Sequence, residues 1–257
     1  MTAQHVLTDT TSIASLRAAT WADIDEIITV AFDAFSPGAA FKYTNPGYEQ
    51  YKDYAKYCKK EDVKKFFREG VPDGVFINVI TVPRADACVY DVCRDEKVVA
   101  FAGWKLVTKG DSDDIRSFWG FVPPSSASDS VGTHKGIDKL EYNCSLRLDE
   151  NITRSDGHQR QLEDAKEKYI DSQFDNQLWL EVLVTHPTWD GHNFGAINLQ
   201  WGQNLAKKKG LPITLIATPA GYPLYRSVGF EDIQNVTLEL LDGEGKLWYE
   251  AMKYEPA

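Results

Sequence analysis

Long hydrophobic runs are missing from this 257-residue chain. No stretch approaches the roughly 18 apolar residues of a membrane-spanning helix, and the opening residues have neither a basic start nor an apolar core, so secretion and membrane insertion are not expected. Basic charge is scarce: 28 Lys and Arg stand against 38 Asp and Glu, a formal net charge of −10. A sequence-independent hold on nucleic acid needs a basic surface to neutralise phosphates, so that partner is disfavoured. The one concentrated basic run, Lys207-Lys208-Lys209, precedes Gly210 and reads as cations complementing a helix C-terminus. Cysteine is sparse. Cys58, Cys88, Cys93 and Cys144 form no Cys-x-x-Cys pair and have no His at zinc-ligand spacing. No metal site is expected, and the thiols read as reduced structural cysteines of a cytoplasmic protein. Also absent are a G-x-x-x-x-G-K-[ST] loop, an H-E-x-x-H pair, a G-x-S-x-G elbow and a G-x-G-x-x-G following a strand, which leaves several common chemistries without support.

What is present suits one elaborated domain over residues 1–257. Hydrophobic residues make up 43% and charged residues 26% of the chain, enough for a packed interior and too mixed in sign for a disordered one. Ile13 to Arg17 reads as an edge strand. Thr20 and Asp23 then open a helix with apolar positions Ile24, Ile27, Ile28, Ala31 and Phe35, stopped by Pro37-Gly38. A second helical zone covers about Tyr48 to Glu69. Ala87 to Arg94 and Val98 to Thr108, joined around Asp95-Glu96, read as an antiparallel hairpin. Residues 109–156 turn to Gly, Ser, Asp and Pro, a loop-rich insertion that is either a lid or a simple excursion. After a helix around Gln159 to Ser172, "LWLEVLV" (Leu178 to Val184) is a strand of the kind buried in a sheet centre. A helix with Phe194, Ile197, Trp201 and Leu205 on one face follows, then a strand at Ile213 to Ala217 and a short helix at Tyr222 to Val228 capped by Gly229. Val236 to Leu241 and Lys246 to Met252 form a terminal hairpin, whose edge could pair across a two-fold axis, so monomer and homodimer both remain open.

Chemistry concentrates in "THPTWDGHNFGAINLQWG", Thr185 to Gly202. A strand that stops at Pro187 and a helix that starts near Phe194 leave the intervening amides without intrahelical partners at the positive end of a helix dipole. Gly191 and Gly195 allow close approach of the main chain, and Asn193 tolerates a left-handed backbone. Such a turn suits a pyrophosphate, although any tight strand-to-helix connection uses the same residue types.

Read as one block, residues 178–233 resemble the core of the GCN5-related N-acetyltransferase superfamily: a strand, an R/Q-x-x-G-x-G/A loop, a helix, a strand, and G-x-x-L-Y-x-x-x-G-F. Gly221, Leu224, Tyr225, Gly229 and Phe230 match the second motif throughout. "THP" before the loop resembles fungal small-molecule acetyltransferase-like proteins, and "LRAATWADIDEI" and "VVAFAGW" resemble the family's first strand-helix unit and third strand. The resemblance implies an α/β (α+β) fold with a mixed, mostly antiparallel sheet of about seven strands flanked by helices, the long insertion preceding the fourth core strand. It also implies acetyl-CoA as co-substrate. Leu183, Val184 and Thr185 would bond the pantetheine arm and offer an amide to the thioester carbonyl. Asp190, Gly191, His192, Asn193, Phe194, Gly195 and Ala196 would surround the pyrophosphate. Two positions depart from the pattern: Asp190 replaces Gln or Arg, placing a carboxylate beside the diphosphate, and Asn193 replaces Gly.

Acetyl transfer to an amine needs a neutral nucleophile, donors for the thioester oxygen and a proton for the departing thiolate. Tyr225, a phenol with an ordinary pKa of about 10, is the candidate donor, against a purely packing role. Glu181, the only charge inside "LWLEVLV", is the candidate base if burial raises its pKa, against an ion pair or an exposed strand position. His186 and His134 are the alternatives. Trp119, Phe121, Phe41, Tyr43 and Trp104 are candidates to line a pocket for an apolar or aromatic amine, and the acidic balance favours a cationic one. The function implied is acetyl transfer to the amine of a small molecule; alternatives are a protein or peptide N-acetyltransferase and a catalytically silent acyl-CoA-binding module.

Overall fold

In the computed structural model, which describes residues 14–68, 75–84, 96–109, 142–243 and 245–256, the apolar strands join into one seven-stranded sheet of order β1-β2-β3-β4-β5-β7-β6. The strands are β1 (Ser15–Ala18), β2 (Val75–Pro83), β3 (Glu96–Val107), β4 (Gln177–Thr185), β5 (Ile213–Ala217), β6 (Glu231–Glu239) and β7 (Lys246–Tyr254). All neighbours run antiparallel except β4 and β5. The helices are α1 (Ile24–Phe35), α2 (Ala39–Thr44), α3 (Lys52–Arg68), α4 (Ile152–Lys166), α5 (Phe194–Lys209) and α6 (Tyr222–Ser227). This is the mixed, helix-flanked sheet that the family resemblance implies.

The two faces of the sheet bury different helices. Ala102, Trp104 and Leu180 pack with Leu199 and Ala206 of α5 and Tyr225 of α6. On the other face Val79, Phe101 and Val184 pack with Ile27 and Val30 of α1, and Trp179 and Ala251 with Ala165 of α4. The α5 face is centred one position away from its expected stripe: Phe194, Asn198, Leu199, Gly202 and Ala206 are buried, whereas Ile197, Trp201 and Leu205 flank them. Gly202 explains the rotation. A Cβ there would lie 2.1 Å from Cη2 of Trp104, so the absent side chain admits the fully buried indole.

Two sequence expectations change and one is left aside. The described partners of the strand beginning near Val98 are β2, paired from Pro83↔Glu96 to Val75↔Lys105, and β4; the segment Ala87 to Arg94, expected to form a hairpin with it, lies outside the described residues. Helix α4 starts seven residues earlier than the expected Gln159, because the side chain of Asn151 accepts from the Arg154 amide at 3.1 Å and caps it; its far end passes into a π-turn over Glu167–Asp171. Cys58 and Cys144 are not reduced thiols: they form a disulfide across a sequence separation of 86. Only the fold brings these two cysteines within bonding reach, which spacing along the chain does not reveal. Cys88 and Cys93 lie outside the described residues.

At the first strand-helix junction, charge does the positioning. Arg17 of β1 binds Asp23 at 2.7 Å and Glu96 of β3 at 2.7 Å, and Thr81 of β2 donates to Glu96 at 2.6 Å. Burial alone would raise the Asp23 pKa, but hydrogen bonds from Arg17 and Thr20 outweigh it and hold the carboxyl below its usual range. The same carboxylate accepts from the Thr20 amide at 2.7 Å, fixing the entry into α1.

Candidate active site

Strands β4 and β5 are hydrogen-bonded only at their start, with Leu178↔Ile213 and Trp179↔Thr214 as partners, and then separate. β4 continues to Thr185, held on its other side by β3. Its amides can be assigned to one side or the other. Leu178 donates to Pro212 O on the β5 side, whereas His186 donates to Val99 O on the β3 side. Strict alternation would send both the same way, so one residue of the strand is extra. The register slips between Gly103↔Val182 and Trp104↔Leu180, making Glu181 the bulge residue. Counting back from His186, the amides of Leu183 and Thr185 point into the gap between β4 and β5, and that of Val184 points to β3. Val184 therefore offers the gap no main-chain group, and its side chain is buried against α1.

The bulge also decides side-chain direction. Leu180 and Leu183 face α5, whereas Glu181 and Val182, although adjacent, both face the α1 side. Glu181 is exposed and accepts the Trp179 indole N–H at 2.7 Å. The burial expected of it is corrected: a position that looks central in an apolar run opens onto a cavity because the strand bulges there.

Beyond β4, His186 caps a short turn over Pro187–Trp189, its Nδ1 accepting from the Thr188 amide at 3.2 Å. That leaves the proton on Nε2, which lies 3.2 Å from Asp33 and donates to it. With both ring nitrogens engaged, His186 holds the turn. His134 lies outside the described residues. Asn193 is in the left-handed region at φ 61, the conformation expected of it, and Gly191 also has a positive φ of 80. The amides of Gly191, Asn193, Phe194, Gly195 and Ala196 make no hydrogen bond among the described residues, and no side chain caps the helix. Two amides of the run are engaged: Asp190 donates to Pro187 O at 3.2 Å and His192 to Trp189 O at 3.4 Å. The His192 ring directs Nδ1 at the carbonyls of Trp189 and Asp190, 3.1 and 3.2 Å away, and stacks on Phe194. Asp190 is exposed and does not cap α5.

Gly195 lets α5 approach α6. A Cβ at Gly195 would lie 2.7 Å from Leu224 Cδ2, and one at Gly221 would lie 2.9 Å from Tyr225 Cε2. The two glycines seat Tyr225 in the core cluster that holds Leu180 of β4 and Leu215 and Ala217 of β5. Tyr225 is 8% exposed, its ring lies edge-on to Phe230 at 5.6 Å, and its hydroxyl has no hydrogen-bond partner among the described residues. Burial pushes its phenol well above the ordinary range, so it is a hydrogen-bond donor throughout the neutral pH range.

On the opposite face, a cavity of about 900 Å³ runs between α1, α3 and β4 and reaches Glu181 and Val182. Its outer wall is the segment around Cys144 to Glu150, held by the disulfide to α3, by Tyr54 Oη donating to Asn143 O at 3.0 Å, and by Gly47 N donating to Asp149 O at 3.0 Å. Of the aromatic residues expected to line a pocket, Phe41 does so. Trp104 is in the opposite core and Tyr43 uses its hydroxyl to accept from Leu241 N at 2.8 Å. Trp119 and Phe121 lie outside the described residues. The disulfide and the carboxylate of Asp149 in this wall carry no signal in the sequence.

No family model matches the chain. A protein named acetyltransferase from the fungus Stachybotrys chartarum is 24% identical over 221 residues, covering 85% of this chain and 81% of that protein. Among solved structures, histone acetyltransferase HPA2 and related acetyltransferase from Corynebacterium glutamicum superposes with a TM-score of 0.51 at 16% identity, over 95% of this chain and 97% of that one. Putative arylalkylamine N-acetyltransferase 7 of the yellow fever mosquito gives 0.52 at 13%, over 94% and 87%. The phosphinothricin acetyltransferase of Sinorhizobium meliloti, solved with AcCoA, gives 0.50 at 13%, over 95% and 89%. The splayed sheet and these superpositions give the chain the fold of solved acetyltransferases, and the fungal protein named acetyltransferase is similar to it over most of its length.

Proposed function

We propose that the protein transfers an acetyl group from acetyl-CoA to the amine of a small molecule by direct attack on the thioester. The observation that carries this reading is the set of unbonded amides of Gly191 and of Asn193 to Ala196, together with the amides of Leu183 and Thr185 at the open edge of β4. A helix N-terminus with free N–H groups favours a diphosphate. The strand edge then offers donors to the pantetheine arm, and to the thioester oxygen as it gains charge.

On the other side of the sheet, an amine in the cavity meets the thioester carbon at the bulge. The C–N bond forms as the C–S bond breaks, and the proton of the attacking nitrogen passes to the Glu181 carboxylate, directly or through water. Tyr225 stabilises the departing thiolate by donating a hydrogen bond. Its phenol is held above the roughly 8.5 of an ordinary cysteine thiol, so it retains its proton while doing so. Small-molecule acceptors are favoured over proteins because the wall from Cys144 to Glu150 closes one side of the cavity. A silent acyl-CoA-binding module has one observation in its favour, the exposed Asp190 carboxylate at the diphosphate end.

The test is thiol release from acetyl-CoA over a panel of amines, run beside Tyr225→Phe. Turnover that falls by about 10²-fold in that variant, with the unfolding free energy unchanged within ~0.5 kcal/mol, is the expected result. Binding of acetyl-CoA without turnover on any amine would select the silent module.

A further inference from the structure

We propose that the cavity between α1, α3 and β4 selects a bulky amine: an acceptor with a cationic nitrogen, an apolar ring-bearing body and no carboxylate. The inference rests on the acetyl-transfer reading of the same site.

Position comes first. Because Glu181 and Val182 both face the cavity across the bulge, while the next amide, Leu183, faces the gap, the cavity meets the open edge of β4 at a single point. A nitrogen presented there has a carboxylate beside it. The Glu181 oxygen bound to the Trp179 indole is fixed at 2.7 Å, which orients the carboxylate for an incoming N–H.

The lining defines the body of the ligand. Phe32, Phe35, Phe41 and Phe101 contribute rings, and Ile28 and Val182 fill between them. Flat aromatic and aliphatic walls are complementary to an apolar, ring-bearing group and gain nothing from a polyhydroxylated or phosphorylated one. Volume argues the same way, since about 900 Å³ is at the upper end of sites that enclose drug-sized ligands. A free amino acid or a short diamine would leave most of it unfilled.

Charge defines the rest. Asp62, Asp149, Glu150 and Glu181 line the cavity against Lys59 and Arg147. The guanidinium of Arg147 is already engaged by Glu150 and by Asp156. Asp149, only 6% exposed, accepts from the Asn45 side-chain amide at 3.1 Å and makes no ion pair in direct contact among the described residues, Arg147 acting on it only at longer range. A second anion on the ligand would enter a field that is already negative. A cation completes it.

Calorimetric titration of the whole protein with 4-phenylbutylamine, 4-phenylbutyrate and spermidine tests the inference, because the first two share a body and differ in charge while the third has charge without the body. The amine is expected to bind at least about tenfold more tightly than either of the others, and Glu181→Gln and Phe35→Ala are each expected to weaken it several-fold, with folding checked by circular dichroism. Equal or tighter binding of the carboxylate or of spermidine overturns the proposal, as does the absence of binding by the amine. A parallel titration with acetyl-CoA separates the two levels: amine binding with no acetyl-CoA binding keeps the ligand class and removes the acetyl-transfer reading.

Discussion

The two faces of the sheet are built by different means. On the α5 face the site consists of main-chain groups: amides ahead of Phe194, amides along the free edge of β4, and two glycines that let a tyrosine and a helix come close. On the α1 face it consists of side chains brought from α1, α2, α3, β4 and a distant segment clamped by a disulfide. Backbone geometry is determined locally by Gly, Asn and Pro, so the proposed coenzyme face depends on few side chains. The proposed acceptor face depends on which side chains meet, and there the chain is free to specialise.

The largest effect that sharpens this contrast is expected at the disulfide. Closing a loop of 86 residues lowers the entropy of the unfolded chain by an amount worth roughly 4–5 kcal/mol at most. Cys144→Ser should shift the urea midpoint down accordingly and weaken amine binding, while the affinity for acetyl-CoA in the folded variant changes less than about twofold. Equal losses on both faces would break the comparison.

Acid should act next, and also on the α1 face. Asp23 and Glu96 have lowered folded-state pKa values, Asp23 because bonds from Arg17 and Thr20 outweigh its burial and Glu96 through the Thr81 hydroxyl and Arg17. The stability they contribute is fully present above the unfolded carboxylate pKa of about 4 and is lost as pH falls through the lowered folded values. Denaturation followed from pH 6 to pH 2 should show that loss, and Asp23→Asn should flatten the profile.

On the coenzyme face a smaller gain is expected. Asp190→Asn removes an exposed carboxylate from the N-terminal end of α5, where diphosphate would sit, and should tighten acetyl-CoA binding about two- to fivefold at low salt, less at high salt. An unchanged affinity at all ionic strengths would mean that the carboxylate points away from the ligand.

The same division accounts for what could be read from the sequence. The block from β4 to α6 was legible because its signals are backbone signals: Pro187 ends a run, Asn193 and Gly191 take positive φ, Gly229 at φ 94 ends α6, and β5 spans the expected residues. β2 escaped because "VFINVITV" follows the Pro72-Asp73-Gly74 break with no turn signal toward its true partner, β3, and a downstream apolar run competed for the pairing. The surroundings of Glu181 escaped because a bulge does not show in an apolar pattern; one extra residue in β4 exposes a position that strict alternation would treat otherwise. The Cys58–Cys144 bridge and the carboxylate of Asp149 meet their partners only through long-range packing.

The most direct test of the central claim compares acetyl-CoA with acetyl-pantetheine, which carries the thioester and the arm but no diphosphate, by calorimetric titration of the same protein. If the free amides of Gly191 and of Asn193 to Ala196 hold the diphosphate, the nucleotide thioester binds at least about a hundredfold more tightly, and the difference shrinks as salt is raised. Equal affinity for the two thioesters would contradict the account.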